Sequence, residues 1–286
     1  MSTRLTLGGR ALTLERPLLM GVVNLTPDSF SDGGLYLDAD AAIAHAARLV
    51  EEGADLLDIG AESTRPGAEP VPLEVEMQRL VPVLRGCAGF GVPLSVDTYK
   101  PEVMLRVCAM GVAMLNDIRA FRQPGALAAA AEAARSGVVL AAMHMRQDPR
   151  NMQDGPEYLD VVAEVRTFLA GRIAALKSAG VPADQLVIDP GFGFGKTLAH
   201  NLALLRGLAA FGELGVPILA GLSRKSTIGA ITGRQAPADR VHGSVAAALI
   251  AAQNGATILR VHDVAATRDA LLVWEAVKGE SRSMIR

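Results

Sequence analysis

Residues 187–201 read VIDPGFGFGKTLAHN, and deciding what this stretch is sets how the rest of the chain is read. A short apolar run ends at Asp189 and leads into three glycines, a lysine and a threonine, the ingredients of a nucleotide-binding loop. The spacing excludes both familiar forms. A Walker A loop places a glycine five positions ahead of the Gly of its Gly-Lys-Thr, and here that position holds Pro190. A dinucleotide fingerprint, G-x-G-x-x-G, needs a third glycine where the chain has Lys196. The stretch is instead one member of a series. Each member is an apolar run ending in a polar residue, then a loop bearing Gly or Pro, then an amphipathic segment.

Eight such runs follow one another. They are LLMGVVN ending at Asn24, LLDIG near Asp58, PLSVD at Asp97 and AMLND at Asn116. VVLAAMH at His144, LVID at Asp189, PILAGLS at Ser223 and TILRVH with Arg260 and His262 complete them. Runs rich in Val, Ile and Leu without alternation belong to strands buried on both faces, as in a parallel sheet. The intervening DAAIAHAARLVEEGA, PEVMLRVCAMG and GSVAAALIAAQNGA have helical periodicity and reach a glycine where a C-cap belongs. Eight β-then-α units predict an α/β chain folded as a single (β/α)8 TIM barrel domain over residues 1–286, with a doubly wound sheet as the alternative. Ahead of the first unit, RLTLGGRALTLE alternates leucines around Gly8-Gly9 and reads as a β-hairpin closing the bottom of the barrel.

Composition narrows the function classes. Lys and Arg total 28 against 30 Asp and Glu, which provides no basic field for nucleic acid or an anionic membrane. The opening MSTRLTLGGR has charges where a signal peptide is apolar, and no run approaches the length of a membrane span. Cys87 and Cys108 form neither a metal spacing nor a disulfide framework. A cytoplasmic protein is expected. In a barrel of this kind the active site lies at the C-terminal ends of the strands. That rim collects Asn24, Asp58, Glu62, Asp97, Asn116, His144, Asp189, Lys225, Arg260 and His262.

Several segments together resemble the dihydropteroate synthase family. They are MGVVNLTPDSFSDGG, DIGAESTRPGA, SVDTYKP, LNDI, MHM, IDPGFGFGKTLAHNLALL, GLSRKSTIG and RVHGSV with GATILRVHDV, in strand order from about residue 18 onward. The resemblance implies condensation of 6-hydroxymethyl-7,8-dihydropterin diphosphate with p-aminobenzoate to 7,8-dihydropteroate and pyrophosphate, in folate synthesis. It also implies small-molecule substrates, a Mg²⁺ cofactor and a homodimer.

The pterin has a guanine-like edge whose amine and ring N–H can give a carboxylate two parallel hydrogen bonds. The resemblance assigns that role to Asp189, with Asp97 and Asn116 facing further ring nitrogens and Lys225 the carbonyl side. Arg260 and His262 fall to the diphosphate, with Asp263 capping the next helix. Asn24 corresponds to the Mg²⁺-associated position; a neutral ligand suits a hydrated ion held mainly by phosphates. For p-aminobenzoate, Phe30, Thr64, Pro66 and Phe194 line a slot in this reading, Ser226 meets the carboxylate, and Arg65 makes a loop-closing contact. The catalytic set is then Arg260, His262 and Lys225, acting by charge stabilisation and positioning. The aromatic amine is neutral at pH 7, so no strong base or covalent intermediate is required.

Two rivals share the barrel: a pterin-dependent methyltransferase working with a corrinoid protein, and a non-catalytic pterin-binding paralogue. The Ser-Thr-Arg-Pro and Ser-Arg-Lys-Ser segments and an intact polar rim argue against them. Two positions depart from the family pattern, Ala61 and Gln147, each where glycine is frequent.

Overall fold

The computed structural model describes residues 4–8, 10–14, 16–25, 35–63, 68–146 and 157–279. The expected hairpin is present: β1 (Arg4–Leu7) pairs antiparallel with β2 (Arg10–Thr13), and Gly8 makes the turn at φ +59°. The barrel strands are β3 (Leu18–Asn24), β4 (Leu56–Gly60), β5 (Leu94–Asp97) and β6 (Met114–Asp117). They continue as β7 (Val139–Met143), β8 (Leu186–Asp189), β9 (Leu219–Ala220) and β10 (Ile258–Val261). All pair in parallel, β3 through β8 in sequence order, with β10 between β3 and β9. A parallel bridge from Ile188 to Ile218 and a 3.0 Å bond from Ile188 N–H to Pro217 O join β8 to β9 and close the ring. The fold is the predicted (β/α)8 barrel, not the doubly wound sheet.

The outer layer is α1 (Leu35–Glu51), α2 (Leu73–Cys87), α3 (Pro101–Cys108), α4 (Ala126–Arg135) and α5 (Val161–Ser178). It continues with α6 (Leu198–Arg206), α7 (Ser226–Thr232), α8 (Val241–Gln253) and α9 (Val264–Lys278). The alanine-rich helices pack by small residues on one stripe: α4 buries Ala126, Ala129, Ala130, Ala133 and Ala134, the i, i+3, i+4, i+7 pattern. Gly53, Gly111 and Gly255 sit beyond α1, α3 and α8 at φ +103°, +83° and +97°, left-handed ends that glycine adopts without strain. Among the described residues no helix is long and apolar enough to cross a membrane.

The period of two along each strand positions the site. Met20, Leu56, Met114, Val187 and Ile258 share one apolar cluster inside the barrel floor, into which the hairpin drives Leu5 and Leu7. Two residues further along four of those strands, on the same inward phase, come Asp58, Asn116, Asp189 and Arg260. The barrel interior is therefore apolar and plugged below and polar above.

Candidate active site

Arg260 is the hub of the polar layer. Its Nε donates to Asp58 Oδ2 at 2.6 Å and its Nη2 to Asp97 Oδ2 at 3.2 Å. Burial works against the guanidinium charge, but Asp58 and Asp97 outweigh it. Asp58 is fully buried in the middle of β4 and accepts two further bonds, from Ser95 Oγ at 2.6 Å and Asn116 Nδ2 at 3.2 Å. It is thus an anchor within the strand rather than the strand-end residue expected from LLDIG. A carboxylate in an otherwise apolar run was the available signal that a cation lay opposite it.

Asn116 must turn its Nδ2 toward the Asp58 carboxylate, because only that atom donates. Its Oδ1 is consequently a buried acceptor with no partner. Asp97, beside it on β5, has its pKa pushed up to about 7 by burial and by the like charge of Asp58, with Arg260 opposing. Asp189, at the end of β8, is likewise raised by burial and partly offset by Lys225; its Oδ1 accepts Gly191 N–H at 2.7 Å. Asp97, Asn116, Asp189 and Arg260, predicted separately, come together on one polar layer.

The glycine loop after β8 is organised from within. Gly191 takes φ +71°, and a Cβ there would lie 1.9 Å from His144 O. Lys196, whose position in the sequence excludes a dinucleotide fingerprint but carries no other signal, is 3% exposed and folds back into the loop. Its Nζ donates to Gly191 O at 2.8 Å and Phe194 O at 2.9 Å and meets His144 Nδ1 at 3.0 Å. Burial lowers its pKa to about 7, yet three acceptors match the three N–H groups of an ammonium, and this geometry holds the charged form in place. Burial and the Lys196 charge push His144 down to about 2, so it is a neutral acceptor. Asn201 Oδ1 accepts Gly193 N–H at 2.7 Å, and Tyr158 Oη donates to Gly195 O at 3.0 Å.

Lys225, at the N-cap of α7 after β9, reaches toward the same loop, donating to Phe192 O, with Nζ 4.5 Å from the Phe194 ring centroid. Burial lowers its pKa to about 8 against the pull of Asp189. Phe194 packs on a small cluster of Ile118, Met143 and Met145. Ser226 is exposed and opens α7. His262 is held by Ser223, whose Oγ accepts its backbone N–H and contacts Nδ1, both at 3.1 Å. Burial, then Arg260 and Arg224, lower the His262 pKa to about 3, so at neutral pH it is a dipolar donor and not a cation.

Asp263 corrects an expectation. It stands at the N-cap of α9 but makes no side-chain cap bond; its carboxylate takes Arg224 Nε at 3.0 Å and Nη2 at 2.6 Å instead. The guanidinium offers two charge-assisted bonds, more than a helix N–H provides.

Just beyond the C-terminal ends of β4 and β5, Lys100 bridges Glu62 and the nearly fully buried Glu76 in the first turn of α2. Glu62 also accepts from Tyr99 Oη at 2.7 Å and from Val71 N–H at 3.1 Å, tying the ends of the β4–α2 connection. Ala61, where the family often has glycine, is fully buried, and its methyl is accommodated. Asn24 ends β3, half-buried. Phe30, Thr64, Arg65, Pro66 and Gln147 lie outside the described residues.

Comparison with known proteins gives this rim its family. Residues 20–262 match the family described as pterin binding enzyme. The chain is 52% identical over 269 residues to dihydropteroate synthase of Neisseria meningitidis serogroup B, covering 92% of this chain and 94% of that protein. Among solved structures, Xanthomonas albilineans dihydropteroate synthase with 4-aminobenzoic acid superposes with a TM-score of 0.90 at 58% identity, covering 97% of this chain and 99% of that one. The same organism's enzyme in complex with 7,8-dihydropteroate gives 0.86 at 56% identity, covering 96% and 98%. With a pterin-binding match from the first barrel strand to the last and these identities over nearly the whole length, the chain belongs to the dihydropteroate synthase family, the pterin-binding transferases of folate synthesis.

Proposed function

We propose that the polar upper layer of the barrel binds the pterin diphosphate and that the rim above it receives p-aminobenzoate, dividing the family's reaction among the residues just described. The observation that carries this reading is Asn116 Oδ1, a buried acceptor without a partner, with the largely buried Asp97 paired beside it on β5 and the buried Asp189 at the end of β8. A donor-rich, flat edge with an amine and a ring N–H is the ligand that such a set satisfies. Asp189, Asp97 and Asn116 then accept from the pterin, and Lys225 donates to its carbonyl side. In this reading Lys196, from inside the loop, keeps the carbonyls of Gly191 and Phe194 turned away from that ring.

The reaction breaks the bond between the pterin methylene and the diphosphate oxygen and forms one to the aromatic amine nitrogen, which afterwards loses a proton. Arg260 spends two of its five N–H groups on Asp58 and Asp97, so in this role it offers the remaining ones to the diphosphate. His262 contributes as a neutral donor in the tautomer that carries its proton on Nε2, where Nδ1 accepts from Ser223 Oγ. Ser226 Oγ and Phe194 meet p-aminobenzoate, together with Phe30, Thr64 and Pro66.

Among the described residues no cluster of three His, Cys, Asp or Glu is placed to hold a metal ion. The neutral oxygen of Asn24 suits a hydrated Mg²⁺; Asn24 would hold the ion together with the substrate's diphosphate, and the ion would supply neutralisation of the leaving group's charge. The same reading takes the assembly to be a homodimer in the cytoplasm, and sedimentation of the purified protein checks the dimer.

The test is pyrophosphate release from purified protein with pterin diphosphate, p-aminobenzoate and Mg²⁺, omitting each in turn. Release that needs all three, with dihydropteroate formed, is expected. Saturable pterin binding without turnover would overturn the synthase reading in favour of a binding paralogue or a methyltransferase.

A further inference from the structure

Arg224 is a non-glycine residue at φ +59°, in the left-handed region that side chains other than Gly, Asn and Asp rarely enter. Such a conformation persists only where the surroundings over-determine it. Here they do. Arg224 N–H donates to Ser244 Oγ at 2.9 Å, and that hydroxyl in turn donates to Arg240 O at 2.6 Å. Arg240 Nη1 donates to Arg224 O at 2.8 Å. The guanidinium makes the two bonds to Asp263, and the carboxylate is only 13% exposed. Backbone N–H, backbone carbonyl and side chain are all committed.

The residue stands between two differently anchored neighbours. Ser223, before it, is fixed on His262. Lys225, after it, has its own anchor in Phe192 O and the charge of Asp189. Ser226 follows, exposed and opening α7. Its position therefore depends on the direction in which the chain leaves the Arg224 turn. The Asp263 end of the clamp adjoins His262, so the turn also sets the spacing between the diphosphate side and Ser226.

We propose that Arg224 is a positioning residue for p-aminobenzoate: clamped by Asp263, it holds the left-handed turn that fixes where Ser226 stands relative to Lys225 and His262. This rests on the reading of Ser226 as a contact for the acceptor's carboxylate.

The experiment is steady-state kinetics in both substrates with calorimetric pterin binding, on the wild type and on Arg224→Gly, Arg224→Lys and Asp263→Asn. Glycine adopts φ +59° freely, so Arg224→Gly removes the clamp without adding strain. Arg224→Gly should raise KM for p-aminobenzoate at least tenfold while the pterin Kd stays within threefold. Arg224→Lys, which keeps one charged donor, should fall between it and the wild type. A residue that merely stabilised the fold would lower the active fraction, reducing the maximal rate at unchanged KM; that result overturns the proposal. So does equal weakening of both ligands. If Arg224→Gly does not fold, Arg224→Lys and Asp263→Asn give the same readout. A wild type that fails to turn over overturns the assigned reaction itself, a separate outcome.

Discussion

Arg260 on the last barrel strand reaches across the interior to Asp58 on the second, Nε to Oδ2 at 2.6 Å, joining residues 202 positions apart in the chain. The side chain of Asp58 is wholly buried and that of Arg260 one-fifth exposed. Two charges taken so far out of water are stabilising only with full hydrogen bonding. Ser95 and Asn116 supply it on the carboxylate side. The pair therefore ties β4, β5, β6 and β10 together and holds Arg260 and Asn116 in fixed orientations.

Asp58→Asn replaces an acceptor with an amide whose N–H₂ faces the donors of Arg260 or Asn116. The cost should be about 3–5 kcal/mol, the usual penalty for stranding one member of a buried pair. At this chain length that corresponds to a fall of roughly 5–15 °C in melting midpoint. Adding Arg260→Met removes the stranded charge, so the double variant should lose less than the two single variants summed. Melting followed by circular dichroism decides it; Asp58→Asn melting with the wild type would refute the anchoring role.

Much of this was legible in the chain. The eight apolar runs mark the strands because a parallel barrel buries both faces of each, and the polar residue ending a run marks the rim because strand ends converge there. Asp97, Asn116, Asp189, Lys225 and Arg260 could be placed on that logic alone. What could not be read was pairing between distant positions. Nothing near Asp58 names Arg260 as its partner, and nothing near Lys100 names both Glu62 and Glu76. Asp263 looked like a helix cap because capping is local, whereas its actual partner, Arg224, lies 39 residues away. The role of Lys196 is not legible because two of its partners are backbone carbonyls, which leave no trace in side-chain patterns, and the third, His144, lies 52 residues away.

Gly191 tests the glycine loop most directly. The oxygen that an added Cβ would strike, His144 O at 1.9 Å, belongs to a residue whose N–H bonds Asp189 O at 2.9 Å across the sheet. Neither side can yield without parting the ends of β7 and β8. Gly191→Ala should cost roughly 2–4 kcal/mol from clash and left-handed strain. It should also displace Asp189, whose Oδ1 is held by Gly191 N–H, and so abolish pterin binding. Calorimetry of the folded variant checks this, and wild-type pterin affinity would contradict it.

Lys100 bridges two carboxylates, Glu62 and Glu76, just beyond the ends of β4 and β5. Replacing it with Met leaves Glu62 and Glu76 facing one another, the second with only 1% of its side chain exposed. A loss of about 3–5 kcal/mol is expected. Lys100→Met with Glu76→Leu removes the stranded buried charge and should recover part of that loss. Denaturant titration of the single and double variants gives the comparison; an additional loss in the double variant would show that the lysine is not there to balance charge.

With Asp97 accepting from the pterin as proposed, binding should depend on pH in a direction that follows from the surroundings of this carboxylate. Burial and Asp58 raise its pKa to about 7, above the unfolded carboxylate value, so its ionisation opposes folding and stability from this group is lost as pH rises toward 7. A ligand that donates hydrogen bonds to Asp97 needs the ionised form and restores what ionisation cost. Pterin Kd should therefore weaken as pH falls below about 7, approaching a tenfold loss per unit, and level off above it. Binding near neutrality should release protons, seen as a dependence of the apparent enthalpy on the buffer. Asp189 is raised in the same sense and contributes its own share, so Asp97→Asn is the control that separates them. That variant should bind more weakly at high pH and lose the inflection near 7; an unchanged inflection would assign it to Asp189 instead.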